Sequence, residues 1–542
     1  MSALETPRAE PTPARPPVNK WLVTLSITFG TLMGTIDASI VNVAISHIRG
    51  TVGATVEEIT WISTGFAMAT VLVMPLTAFL GRLFGPKRIY LASLVLFLVG
   101  SVLCGLARSL EALIIFRIVQ GFGAGALQPT EQAILRQTFP PAEQGMAMAV
   151  FALAILIGPA IGPTLGGYIV DHYAWPWIFF INVPVGILGF FMVSSFVHEP
   201  EDIRAANRIA AEAQRKNMDW WGIGLMAVGL GTLQYVLEEG NREGWFESPL
   251  ISGLALFAAL ALAAWVIREL TAPVPAVDFR LFKDPAFASG TLVGGLMFAM
   301  LMSLTFLLPL FMQELLGFTA MQSGLALMPR TLVMMVFIPV MGRLYNRLPA
   351  RLVVSAGVLT FVFSAWQMSH YTLQTTSEGV IAALLVQGFA FSLLMVPLNT
   401  LALASIPRHK LTDATGLNSL VRQIGGSIGL AVFATILQRS TVRASAAVRA
   451  HVAAVDPDVQ LRVAAIKAGL ISRGIDATTA TGMADGMLAG QVARQGAVLA
   501  FEHIFLLAGI CFLAVVPFAY FLKPPKVAAV HGPPPEPMHV EV

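Results

Sequence analysis

Charge is what this chain most lacks. Only 12% of its 542 residues are Asp, Glu, Lys or Arg, while 56% are hydrophobic; ordinary soluble domains carry roughly 25% charged residues. Such a chain cannot cover itself with polar surface, which excludes a water-soluble globule and places it in lipid. Cysteine is nearly absent. Cys104 and Cys511 are the only two, both within apolar runs, so they read as small buried hydrophobes rather than as a disulfide or a metal pair. The first 20 residues are polar and Pro-rich, with no apolar core before a small-residue cleavage site, so no cleavable signal is read and the first spanning helix directs insertion. The net charge of +3 is spread between apolar blocks and offers no basic face for nucleic acid. No nucleophile paired with a base, phosphate-cradling glycine loop or metal-ligand cluster is recognisable, so neither an enzyme nor a metal nor a cofactor is expected.

What the chain has is long apolar runs. A spanning helix needs about 20 mostly apolar residues to cross about 30 Å of hydrocarbon. Apolar runs set against polar breaks predict helices near 21–45, 61–80, 89–107, 110–135, 145–170, 177–197, 220–238, 248–267, 286–313, 323–342, 352–369, 379–404, 415–438 and 498–522, fourteen in all. With the N terminus inside, the inner segments hold 21 Lys and Arg, and the short outer loops only Arg49, Arg108 and Arg242. Cytoplasmic loops carry such an excess, so both termini are expected in the cytoplasm. The mixed-charge stretch 198–219 looks like a joint, and removing helices 7 and 8 leaves two blocks of six. The expected organisation is therefore a tail (1–20), a six-helix bundle (21–197), a linker (198–219), two inserted helices with a linker (220–285), a second six-helix bundle (286–522) and a tail (523–542). The Ala-rich polar stretch 439–497 is expected to form a small helical lobe outside the membrane, as a solvated connector or a partner contact.

Ionisable residues inside spanning helices are costly and usually face an internal cavity, so each is a functional candidate. Asp37, Arg117, Arg330 and Arg422 stand out. Asp37 lies about nine residues from the outer end of helix 1 and Arg117 about seven from that of helix 4, which puts both roughly 10 to 14 Å deep. They can pair. An arginine neighbour favours a carboxylate, whereas burial away from water favours the acid, so a change that separates them can switch the group. The alternative is a static ion pair that only fixes helix packing. Arg422 reads either as a gating residue or as an anchor reaching head groups. Glu131 and Gln132, Glu314, and Glu502 with His503 lie near predicted helix ends and read as solvated.

The run ILIGPAIGPTLGG (155–167) is apolar yet built from helix breakers. Gly158, Gly162 and Gly166 recur every fourth residue and line nearly one face, so a neighbouring helix can approach closely. Pro159 and Pro163 each remove a backbone donor and favour a bend, tolerated where neighbours satisfy the freed carbonyls. The combination suggests a close contact that slides and seals.

These stretches carry a resemblance. GPAIGPTLGG, which also includes Gly167, resembles the antiporter motif of the major facilitator superfamily, and RIVQGFGAG (Arg117, Gln120, Gly121, Gly123) its helix-4 motif. IDASIVNVAI around Asp37 resembles the first-helix signature of the fourteen-spanner drug:proton antiporters. WPWIFFINVPVG (175–186), NMDWWGIGL (217–225), PAVDFRLF (275–282) and QVARQG (491–496) are similar to the EmrB-type multidrug exporters. The implied fold is all-α and polytopic: two six-helix bundles around a central cavity plus two inserted helices, 14 transmembrane helices in total. The implied activity is proton-coupled export of hydrophobic or amphipathic toxic compounds by alternating access. Asp37 and Arg117 would couple protons, while Asn42, Gln120 and Arg422 would line the substrate cavity. The resemblance also implies a cell inner membrane location, a periplasmic membrane-fusion adaptor meeting the periplasmic loop 439–497, and an outer-membrane channel. AFLGRLFGPKR (78–88) resembles the gating loop of such carriers, with Gly85, Lys87 and Arg88 in place. Ala78 stands at the usual first glycine, however, and Arg82 at the usual aspartate, so a latch built on that carboxylate is not expected. Two other readings stay open: a dedicated exporter of one metabolite, such as a siderophore or fatty acid, on the same fold, and a non-transporting membrane sensor.

Overall fold

Uninterrupted apolar sequence has one way to satisfy its backbone in lipid, which is to close every hydrogen bond within a helix. Fourteen helices long and apolar enough to cross a membrane occur among the described residues of the computed structural model. The structure describes residues 19–199, 204, 205, 208, 211, 212, 214, 218–344, 347–451 and 457–519. All of the C-terminal tail, all but two residues of the N-terminal tail and most of the 198–219 linker lie outside the described residues.

The chain divides into two compact units, Met1–Trp220 and Trp221–Val542. The first holds α1 (Lys20–Val52), α2 (Val56–Phe84), α3 (Pro86–Leu106), α4 (Leu110–Thr138), α5 (Gln144–His172) and α6 (Trp177–Phe196). Polar caps start several of them: Asn19 accepts from Trp21 and Leu22 N–H, and Thr55 and Glu58 form a capping box, each satisfying N–H groups that have no partner within the helix. α6 is interrupted for one residue at Ile181. Pro184 explains the break, since it has no N–H for the carbonyl four residues earlier. α1 packs on α5, α2 on α4, and α3 on α4 and α6.

The second unit holds α7 (Trp220–Glu239), which begins at the boundary, then α8 (Pro249–Thr271), α9 (Pro285–Leu310), α10 (Ala320–Leu344), α11 (Ala350–Met368), α12 (Ser377–Leu401), α13 (Leu411–His451), α14 (Pro457–Ile471) and α15 (Ala477–Leu513). Its internal pairing repeats that of the first unit: α9 packs on α13, α10 on α12, and α11 on α12 and α15. Large apolar side chains such as Phe191, Leu260 and Leu352 are exposed, as lipid-facing positions must be.

The described part of the stretch 439–497 is largely helical, and much of it extends the neighbouring helices. α13 continues to His451 and α15 begins at Ala477, with α14 between them packed on α15. Ala-rich polar sequence is strongly helix-forming, so the helices run on where apolar character stops, which is why composition misplaced their ends.

Candidate functional site

In the first unit, α4 presents Arg117 and Gln120 one turn apart toward Asp37 of α1. Arg117 Nη1 donates to Asp37 Oδ2 at 2.5 Å and to Gln120 Oε1 at 2.8 Å. Gln120 Nε2 donates to Asp37 Oδ1 at 2.8 Å, and Asn182 Nδ2, at the start of the longer segment of α6, donates to the same oxygen at 3.0 Å. The side chains of Asp37 and Arg117 are 0% and 1% exposed. Arg117 Nε also donates to the Ile62 carbonyl at 3.3 Å, and its guanidinium lies 4.1 Å from the Phe66 ring centre. Asn182 is held in turn by Ser101, whose hydroxyl accepts from it at 3.1 Å and donates to the Phe179 carbonyl at 2.8 Å.

This arrangement has a definite chemical consequence. Every contact to the Asp37 carboxylate comes from a donor, so a proton added to it would have no acceptor. One contact must then open, or one amide must turn. The cluster therefore joins α1, α4 and α6 through one carboxylate. Asn182 and Ser101 were not singled out from the sequence. The available signal was a polar amide within the apolar run WPWIFFINVPVG.

The glycines of α5 do line α1. A Cβ at Gly158 would come within 2.5 Å of the Thr35 side chain, at Gly162 within 2.6 Å of Ser39 and at Gly166 within 2.8 Å of Ile40. Gly167 does not join them, with nothing within 4 Å. α5 stays one continuous helix through Pro159 and Pro163.

The gating loop expected at 78–88 is not a loop. A single residue, Gly85 at φ +88°, separates α2 from α3, because glycine adopts the left-handed turn and Pro86 starts the next helix at once. Arg82 Nε donates to Gln214 Oε1 at 3.1 Å. Lys87 N donates to Glu199 Oε1 at 3.0 Å and Lys87 Nζ to the Ser194 carbonyl at 2.8 Å. Arg88 is exposed. A carboxylate from beyond the end of α6 thus caps α3.

Asn42 is exposed on α1, with the Ser63 hydroxyl 3.5 Å from its amide oxygen, and lies apart from the Asp37 cluster. Other positions correct the sequence reading. Glu131 and Gln132 are fully buried rather than solvated, because α4 runs to Thr138 and leaves them two turns inside; Thr28 Oγ1 donates to Glu131 Oε1 at 3.2 Å. Arg422 does not reach outward. It is 5% exposed inside the second unit and donates to Asn399 Oδ1 at 2.8 Å. Arg330, 6% exposed, donates to Gln387 Oε1 at 3.2 Å. Glu314 and His503 are exposed and Glu502 is half-buried. Among the described residues no group of three or more His, Cys, Asp or Glu is placed to hold a metal.

A buried, donor-saturated carboxylate inside one of two helical units, in a chain of fourteen spans, belongs to a polytopic membrane transporter. The chain is a member of the major facilitator superfamily, whose profile (Major Facilitator Superfamily) matches residues 27–430, and within it of the EmrB-type transporters. It is 34% identical over 505 residues to the multidrug export protein EmrB of Haemophilus influenzae, covering 93% of this chain and 96% of that protein. It is 32% identical over 503 residues to the fatty acid resistance protein FarB of Neisseria gonorrhoeae, with coverage of 93% and 96%. The crystal structure of the human organic anion transporter MFSD10 superposes with a TM-score of 0.58 at 14% identity, covering 92% of this chain and all of that one, a likeness of fold alone.

Proposed function

We propose that the protein is a proton-coupled efflux transporter that exports hydrophobic or amphipathic toxic compounds by alternating access. The observation that carries this reading is the fully buried Asp37–Arg117 pair, with Gln120 and Asn182 completing the shell of the carboxylate. In the proton-free form Asp37 holds α1 against α4 and α6. Proton uptake removes the charge that Arg117 balances and releases that hold; proton loss to the other side restores it, while substrate takes the opposite course. The names of the EmrB and FarB relatives support export of drugs and amphiphiles. The excess of Lys and Arg on one side supports cytoplasmic termini in the cell inner membrane. The EmrB likeness supports work with a periplasmic membrane-fusion adaptor and an outer-membrane channel, for which residues 439–497 offer the docking surface.

The test is Asp37→Asn in inverted vesicles carrying the protein, with tetraphenylphosphonium and ethidium as probes. Substrate-induced proton release is expected to vanish. Its persistence at the wild-type level overturns the reading.

A further inference from the structure

The second unit buries two arginines, and they are held differently. Arg330 engages both terminal nitrogens, Nη1 with Gln387 Oε1 at 3.2 Å and Nη2 with Thr305 Oγ1 at 3.4 Å. Arg422 engages only Nη1, with Asn399 Oδ1 at 2.8 Å. Its guanidinium carbon lies 4.8 Å from the centre of the Phe298 ring. Its Nε, like that of Arg330, is buried without a hydrogen-bond partner; what sets Arg422 apart is that among the described residues none accepts from its Nη2 either.

Among the described residues no Asp or Glu forms an ion pair with Arg422. α9, which supplies Phe298, contains no charged residue at all, and α12, which supplies Asn399, has only Glu378 in its first turn. The nearest acid on α13 itself is Asp413, nine residues away, or about 13 Å along the helix. An arginine cannot escape this situation by losing its proton, and a buried charge without a partner is destabilising. The ring face and one amide oxygen compensate in part. The unused edge, Nε with Nη2, is the one that receives two oxygens of an oxyanion side-on.

We propose that Arg422 is the receptor for the oxyanion head of an amphipathic substrate, held side-on by Nε and Nη2 with its apolar part against Phe298. Asn399 orients the guanidinium from the opposite side, and its amide nitrogen is anchored on the Met395 carbonyl at 2.8 Å. The word substrate rests on the export reading above, but the binding site does not.

The experiment uses full-length protein in nanodiscs and two probes with the same twelve-carbon tail, laurate and dodecyltrimethylammonium. In phosphatidylcholine discs the wild type is expected to bind laurate, and both Arg422→Gln and Arg422→Lys to bind it about tenfold more weakly or worse, as loss of a charge-assisted bidentate contact predicts. Dodecyltrimethylammonium binding is expected to stay within about twofold across the three proteins. An unchanged laurate affinity in Arg422→Gln, or an equal loss of both probes in Arg422→Lys, overturns the proposal. A second arm places phosphatidylglycerol in the discs. If that lipid displaces laurate from the wild type, the oxyanion is a lipid head group and the assignment to substrate falls; if laurate binding persists, the assignment stands. Because binding is measured without transport, a wild type that fails to export either probe would refute the export reading while leaving the site standing.

Discussion

Gly158 and Thr35 approach so closely that a methyl group at position 158 would stand 2.5 Å from the Thr35 side chain. Thr35 Oγ1 also donates across the same contact to the Ala154 carbonyl at 3.2 Å. The two helices therefore meet backbone to backbone, and the glycine is required for its lack of volume.

Gly158→Ala is thus expected to overpack the α1–α5 contact and to destabilise the protein by about 1–3 kcal/mol. Gly167→Ala, with open space around it, is expected to be neutral. Thermal unfolding of the two purified variants in detergent, followed by intrinsic fluorescence, checks both. Similar midpoints for the two would mean that the close approach does not constrain the fold.

The cluster around Asp37 makes a second prediction through its charge balance. Arg117→Met leaves a buried carboxylate without its counter-charge, a loss of about 3–5 kcal/mol. Adding Asp37→Asn removes that charge, so the double variant is expected to be more stable than Arg117→Met alone. Asn182→Ala deletes one of two donors to Asp37 Oδ1 and one partner of Ser101, at about 1–3 kcal/mol. A double-mutant cycle on unfolding midpoints measures the coupling, and additivity of Arg117→Met and Asp37→Asn would contradict the contact.

Much of this was legible in the sequence because the bilayer permits so few solutions. Runs of about 20 apolar residues become helices, and counting residues from two helix ends put Asp37 and Arg117 at one depth. Neutral polar groups were harder. Asn182 and Ser101 carry no charge to mark them, and only the third dimension places them on the carboxylate. Glu131 reads as solvated only if α4 ends at 135, whereas the helix continues three residues further to Thr138. Arg422 stays open between gating and anchoring in the sequence, because residue spacing does not say which way a side chain turns; its burial excludes the anchor. The sequence does carry a mark of the repeat. The tetrapeptide VQGF occurs at 119–122 and at 386–389, in α4 and α12, and in each unit its glutamine hydrogen-bonds a buried arginine, Gln120 with Arg117 and Gln387 with Arg330. It marks the internal repeat that the helix pairing displays.

A third prediction concerns the start of α15. Asp476 accepts from the N–H groups of Thr478 and Thr479, both at 3.0 Å, and the Thr479 side chain together with these bonds holds its carboxyl below the ordinary aspartate range. A lowered value in the folded state means that the cap acts fully above the unfolded value, about 3.9, and fades as pH falls through the folded one. Hydrogen exchange over residues 477–481 is expected to be faster in Asp476→Ala than in wild type at pH 7, with the difference closing in acid. A difference that persists unchanged below pH 3 would exclude the carboxylate as the cap.

The last prediction concerns the one-residue junction between α2 and α3. Gly85 sits at φ +88°, and a Cβ there would come 2.5 Å from Glu199 Oε1, the oxygen that caps α3 through Lys87 N. Two separate penalties therefore oppose Gly85→Ala: the collision with Glu199 and the left-handed backbone, the latter about 1–3 kcal/mol for a residue other than glycine. Glu199→Ala alone is expected to lose the cap, about 1 kcal/mol. In the Glu199→Ala background the collision disappears and the backbone penalty remains, so Gly85→Ala is expected to cost less there than in wild type without becoming neutral. Unfolding midpoints of the four proteins in the cycle decide the matter. If Gly85→Ala costs the same with and without Glu199, that carboxylate does not lie over the junction, and the capping of α3 from beyond α6 is wrong.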